Sequence, residues 1–333
     1  MPVITPSSYP DPPFPYKNGH LSTILYGGLR RVAEPPYVRE RLTLADEDFV
    51  DLDWLRSEGN DRLVVLSHGL EGDSHRPYIR SLALYFHERS WDVLAWMCRS
   101  CSGELNCAPR LYHHGEIGDL GEVLDHARRN NYRQVVLIGL SMGGNITLKY
   151  MGVHGDAVPS EITHAVAFSA PVDLGESAAA LDRRSNFIYR RRFMKMLLAK
   201  MRAKEEQHPG LLDFSKIREI RRWRDFDDFF SAPLSGFASA EEFYEQASAI
   251  NFAGGIRRPT LLVNALDDPI LSPACFPYEF AEQHDCFYLE TPKYGGHVAF
   301  PSAGSSTFGW AEERAYNWIE HGVCRSGQFS EDV

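Results

Sequence analysis

Short apolar runs bounded by turn residues punctuate the chain, and helix-length spacers separate them. The runs Leu63 to Ser67, Val93 to Met97, Val135 to Gly139, Ala165 to Ser169, Thr260 to Asn264 and Cys286 to Leu289 carry little polar alternation, the mark of strands buried on both faces. Such runs alternating with helical spacers predict parallel strands joined by crossover helices. Two spacers, Pro77 to Arg89 and Leu120 to Arg129, repeat apolar residues three and four apart and predict helices with one buried face. Upstream, Tyr37 to Leu44 and Phe49 to Leu55 flank the turn Ala45-Asp46-Glu47-Asp48, which predicts an antiparallel hairpin at a sheet edge. The acidic residues Asp46, Glu47, Asp48, Asp51 and Asp53 lack the glycine and closing glutamate of a calcium loop. They are expected on a solvated hairpin.

The rhythm breaks between about Asp173 and Asn251, a stretch too long for an ordinary crossover and rich in helix formers, aromatics and arginine. It predicts an inserted helical cap, with Phe193, Leu197 and Met201 along one face of a cap helix. A glycine-rich turn follows Pro292, and an amphipathic helix over Phe308 to His321 closes the pattern. The expected fold is therefore α/β, a mostly parallel central sheet flanked by helices, in one domain over 1–333. The cap (about 173–251) is inserted in that domain, and an N-terminal extension (1–36) packs on the core. With 44% hydrophobic and 24% charged residues, a large buried core is supported.

Thirty-five basic against forty-five acidic side chains give a net charge of −10, which excludes a general nucleic-acid binder. Yet Arg183 to Lys204 holds nine basic residues and no acidic one. Two readings stay open for this run: a solvated helix face, or peripheral contact with an anionic membrane or an acyl substrate. No signal peptide is visible in the proline-rich start, and no apolar run is long enough to span a bilayer. Six cysteines without a secretion signal are expected as reduced thiols in a cytoplasmic setting. Cys98 and Cys101 have a zinc-ligand spacing but no matching second pair, so no metal or other cofactor is expected.

Gly139-Leu140-Ser141-Met142-Gly143 lies between the run ending at Ile138 and a helical pattern from Asn145. This is the context of a nucleophile elbow, where a tight strand-to-helix turn presents a serine hydroxyl beside free helix N–H groups. A serine needs a base, and the base needs an orienting carboxylate. Asp267-Asp268-Pro269 follows the run Thr260 to Asn264, and His297 sits on the loop Tyr294-Gly295-Gly296-His297. Both fall in the order that chemistry requires. Asp268 is favoured as the carboxylate, with Asp267 open as the alternative. For the oxyanion the expected donors are the N–H of Met142 and one from His68-Gly69-Leu70-Glu71-Gly72, assigned to Leu70 with Gly69 and Glu71 as alternatives. His68 precedes the serine and is expected to brace its loop.

Together these motifs resemble the YheT-like hydrolases, the AB-hydrolase 4 family of the α/β-hydrolase superfamily. The resemblance runs almost end to end, through Asn18-Gly19-His20-Leu21-Ser22-Thr23-Ile24, the His68 to Gly72 loop, Tyr112-His113-His114-Gly115, the elbow with Gly144-Asn145, Asp267-Asp268-Pro269 and Gly295-Gly296-His297. It implies Ser141, Asp268 and His297 as the catalytic triad of a carboxylic-ester hydrolase, acting on short-acyl or lipid-like esters. The family usually has Arg-Gly-Cys where this chain has Arg99-Ser100-Cys101, which puts the local loop geometry and acyl specificity in question. An acyltransferase using the same triad, or a non-catalytic binding module on this fold, are the rival expectations.

Overall fold

The computed structural model describes residues 2–302 and 308–322. Its strands are β1 (Val3–Ile4), β2 (Val38–Thr43), β3 (Phe49–Leu55), β4 (Arg62–Ser67), β5 (Asp92–Met97), β6 (Gln134–Leu140), β7 (Ile162–Phe168), β8 (Thr260–Val263) and β9 (Phe287–Glu290). They form one sheet in the order β1-β9-β8-β7-β6-β4-β5-β3-β2. Every pairing is parallel except β2 with β3 and β3 with β5. The principal helices are α1 (Pro77–His87), α2 (Ile117–Arg128), α3 (Met142–His154), α4 (Leu174–Leu181), α5 (Phe187–Gln207), α6 (Ala240–Ala247) and α7 (Trp310–His321).

The continuous apolar runs have a direct explanation in two separate cores. Successive side chains of a strand point to opposite faces, and here both faces are covered. Val65, Val135 and Leu137 pack with Leu120, Val123 and Leu124 of α2 and Ile146 of α3. Their neighbours Val64, Leu66, Val136 and Ile138 pack on the other face with Ile79 and Leu82 of α1 and Trp318 of α7. Each such aliphatic side chain contributes about 1.5–3 kcal/mol by leaving water. The sheet therefore tolerates no polar alternation in β4 or β6.

The edge hairpin forms, and Asp46 and Glu47 in its turn are exposed as expected, but its other three acidic residues are not solvated. Asp48, Asp51 and Asp53 are all buried. The antiparallel register sets Arg41 opposite Asp51 and Arg39 opposite Asp53, and the guanidinium nitrogens approach those carboxylates at 2.8 and 2.7 Å. Asp48 instead meets buried Arg99, which also forks onto Asp119 through two 2.8 Å bonds. Cross-strand pairing and one buried guanidinium thus account for an acidic run that looked like a surface feature. Beside Arg99, Ser100 takes a left-handed φ of 61°, and its hydroxyl donates to Asn106 Oδ1 at 2.5 Å.

Between β7 and β8 the chain builds a helical layer with its own apolar cluster, including Leu197 and Met201 of α5 together with Trp223, Phe226 and Phe230. This layer is anchored to the core by Lys204, whose ammonium donates to the carbonyls of Asn106 and Ala108 at 2.5 and 2.7 Å. At the other end of the chain β1 pairs with β9, and a wide helical turn over Ser22–Gly28 lies against the loop that carries His297. Among the described residues no helix is long and apolar enough to cross a membrane.

Candidate active site

Ser141 stands between β6 and α3 with φ 55° and ψ −121°, a backbone state that costs about 1–3 kcal/mol and persists only where its surroundings enforce it. Close packing enforces it here. A Cβ on Gly143 would lie 2.1 Å from the Ser67 carbonyl oxygen, and one on Gly139 would lie 2.2 Å from that of Gly143. The Ser141 N–H donates to the Phe168 carbonyl at 2.9 Å, which fixes the turn to β7.

His297 reaches this serine from the far end of the sequence: its Nε2 is 2.9 Å from Ser141 Oγ. Its Nδ1 lies 2.8 Å from Asp268 Oδ2. A carboxylate can only accept, so Nδ1 carries the proton and Nε2 is left as the acceptor facing the hydroxyl. Asp268 is buried, and its other oxygen accepts the Ile270 N–H at 2.9 Å. Asp267 turns elsewhere. Its Oδ1 accepts the Gly296 N–H at 2.8 Å, and burial raises its pKa.

Sequence reasoning missed the residues that aim the imidazole. Thr23 Oγ1 accepts the His297 N–H at 2.8 Å and donates to the Gly19 carbonyl at 2.6 Å, while the Ser169 hydroxyl accepts the Val298 N–H at 2.9 Å. The available signal was the Asn18 to Ile24 motif, noted without a role.

Around the serine, Gly69 packs so closely that a Cβ there would lie 3.1 Å from Ser141 Cβ. The Gly69 and Glu71 N–H groups are already bound by the Tyr78 and Tyr112 hydroxyls at 3.4 and 3.0 Å. Among the described residues the Leu70 N–H has no acceptor. Met142 is the first residue of α3, so its N–H has no partner within the helix. His68 is fully used: Nδ1 donates to the Gly69 carbonyl at 2.7 Å, and Nε2 accepts the Cys98 N–H at 3.0 Å. Burial pushes its pKa down to about 4, which keeps it neutral. Glu71 is held by the Tyr112 hydroxyl and by Lys200 of α5 at 2.5 and 2.6 Å, so the helical layer grips this loop directly. Among the described residues no three His, Cys, Asp or Glu side chains gather as a metal site.

Ser141 and His297 line two cavities. An inner pocket of about 50 Å³ is walled by Leu174, Ala178, Leu181, Trp223 and Phe243. Its wall includes Asp227, which accepts from the Tyr244 hydroxyl at 2.7 Å and whose pKa burial pushes up to about 6. An outer cleft of about 230 Å³ opens past Ile24, Leu29, Ile188, Arg192 and Met196.

A family model described as Hydrolase_4, serine aminopeptidase S33, matches residues 58–283. The Escherichia coli (strain K12) protein YheT is 32% identical over 91% of this chain and 91% of its own length. The chain belongs to this α/β-hydrolase family. Mouse monoacylglycerol lipase ABHD2 is 28% identical, over 85% of this chain and 72% of its own. The yeast medium-chain fatty acid ethyl ester synthase/esterase 2 is 28% identical, over 72% and 58%. Among solved structures, the Pyrococcus furiosus esterase PF2001 superposes with a TM-score of 0.58 at 18% identity, covering 88% of this chain and 96% of that one. That likeness is one of fold. Relatives of this family member are esterases and lipases, which supports a hydrolase role.

Proposed function

We propose that the protein is a serine hydrolase of carboxylic esters, with Ser141 as nucleophile, His297 as general base and Asp268 as the carboxylate that orients it. The observation that carries the reading is the continuous relay of 2.8 Å from Asp268 to His297 and 2.9 Å from His297 to Ser141. His297 takes the hydroxyl proton as Ser141 Oγ bonds to the ester carbonyl carbon, and the carbonyl oxygen becomes an oxyanion. The N–H groups of Met142 and Leu70 receive that charge. Collapse of the intermediate expels the alcohol, which leaves with the proton from His297. Water then attacks the acyl-enzyme by the same path, with His297 again as base. The chemistry uses side chains and backbone alone, so no cofactor is called for.

The two cavities divide the substrate between them. The small inner pocket takes a short acyl chain, and the larger outer cleft takes the alcohol side of a small-molecule or lipid-like ester. A second reading, transfer of the acyl group to an alcohol, draws on the name of the yeast synthase/esterase relative.

Labelling with a fluorophosphonate probe and turnover of a p-nitrophenyl ester series test the proposal. Wild type should react with both, and Ser141→Ala should lose the label and at least about 10³-fold in turnover. Near-native activity in Ser141→Ala would falsify it. Product analysis with added alcohol or thiol separates hydrolysis from transfer.

A further inference from the structure

Exposed apolar side chains gather at the mouth of the outer cleft. Leu29 and Ile188, both lining it, are 68% and 64% exposed, and Leu25 and Phe187, which adjoin the lining residues Ile24 and Ile188 in sequence, are exposed too. Behind the lip, the opposite side of α5 forms a shallow groove of about 460 Å³. Met194, Leu198, Ile217 and Ile220 make its floor, and Arg190, Arg191 and Lys195 stand along it. The first half of α5 thus mixes apolar and cationic side chains on an outward surface that leads into the cleft holding Ser141 and His297.

The charges on this surface are largely unspent. Arg190 pairs with Asp182 at 3.2 Å and Lys200 with Glu71 at 2.6 Å. Among the described residues Arg183, Arg184, Arg191, Arg192 and Lys195 make no ion pair. Glu219 beside the groove is bound by Lys216 at 3.1 Å. In a chain of net charge −10, this is a local positive field set against a repelling body.

We propose that this face docks on an anionic lipid surface, with the outer cleft opening against the membrane so that amphiphilic esters enter it from the lipid. Charge complementarity selects the partner: the arginines and Lys195 seek headgroup phosphates, while Leu25, Leu29, Phe187 and Ile188 enter the acyl boundary beneath them. Docking deepens the ester-hydrolase reading by naming where substrate is met, but the binding itself does not depend on the triad.

Cosedimentation of the full chain with vesicles tests it. Wild type should bind vesicles of phosphatidylglycerol and phosphatidylcholine, should release them in high salt, and should bind pure phosphatidylcholine far less. A basic side chain at an anionic surface is worth about fivefold in partitioning, so Arg191→Glu/Lys195→Glu should lose at least about 25-fold. Leu25→Asp/Phe187→Asp should also release the vesicles. Both double variants change exposed positions outside the cleft wall, so their circular dichroism and their hydrolysis of p-nitrophenyl acetate should match wild type. Failure of wild type to bind anionic vesicles, equal binding to neutral ones, or binding indifferent to both double variants would overturn the proposal. Vesicle binding by a wild-type chain that hydrolyses no ester would support docking and refute the ester reading instead.

Discussion

Replacing Asp268 by Asn keeps the shape of the relay and removes its charge, and the surrounding hydrogen bonds set the cost. The Ile270 N–H donates to one carboxylate oxygen, and His297 Nδ1 faces the other. An asparagine that keeps its oxygen toward Ile270 turns its NH₂ toward His297. Nδ1 must then accept, which moves the ring proton to Nε2, pointing at Ser141, and the imidazole no longer serves as a base. Flipping the amide restores the ring tautomer but sets NH₂ against the Ile270 N–H, leaving a buried donor unsatisfied at about 1–3 kcal/mol. That alone lowers the productive population by about 5- to 150-fold. Loss of the charge that stabilises the imidazolium adds to it, and the orienting carboxylate of such a relay is worth up to about 10⁴-fold in kcat. The expected fall for Asp268→Asn is about 10³- to 10⁴-fold in kcat with KM little changed. Asp267→Asn can still accept the Gly296 N–H through its amide oxygen and should cost less than about tenfold. Steady-state kinetics on p-nitrophenyl butyrate distinguish them. A larger fall in Asp267→Asn, or a loss under tenfold in Asp268→Asn, would refute the assignment.

Arg99 joins Asp48 and Asp119 in the interior, and breaking a buried pair from one side costs about 3–5 kcal/mol. Arg99→Ala should therefore lower the urea midpoint strongly, and a shift worth less than about 1 kcal/mol would show the network to be dispensable. Acid should also destabilise the fold through His68, whose pKa falls from 6.5 in the open chain to about 4 when buried. Between these values the unfolded chain binds more protons than the native one, so stability is complete above about pH 6.5 and is lost as pH falls toward 4, by about 3 kcal/mol for this ring. Urea unfolding across that window should show the decline, and an unchanged midpoint from pH 7 to 4.5 would contradict it.

The central strands were legible because a sheet covered on both sides leaves uninterrupted apolar runs, and β4 to β9 lie within about three residues of those runs at each end. β1 was not legible: two residues, Val3 and Ile4, carry no period and become a strand by pairing with Leu289 and Glu290. The burial of Asp51 and Asp53 was encoded in the hairpin, since counting back from its turn sets Arg41 and Arg39 opposite them. Asp48 was not, because Arg99 is 51 residues away. For the site, residue type and chain order brought out Ser141, Asp268 and His297. The support of His297 by Thr23 spans 274 positions, and the Asn18 to Ile24 motif marks the segment without revealing that its hydroxyl acts at that range.

That long-range support bears on how the molecule can be divided. A fragment trimmed to the span of the family match, 58–283, would keep Ser141 and Asp268, and would discard both His297 and the threonine that steadies it. The working unit is wider than the stretch most easily recognised, because its two outer flanks meet each other over the sheet. A deletion from either side that reaches Thr23 or His297 should therefore undo the geometry around Ser141.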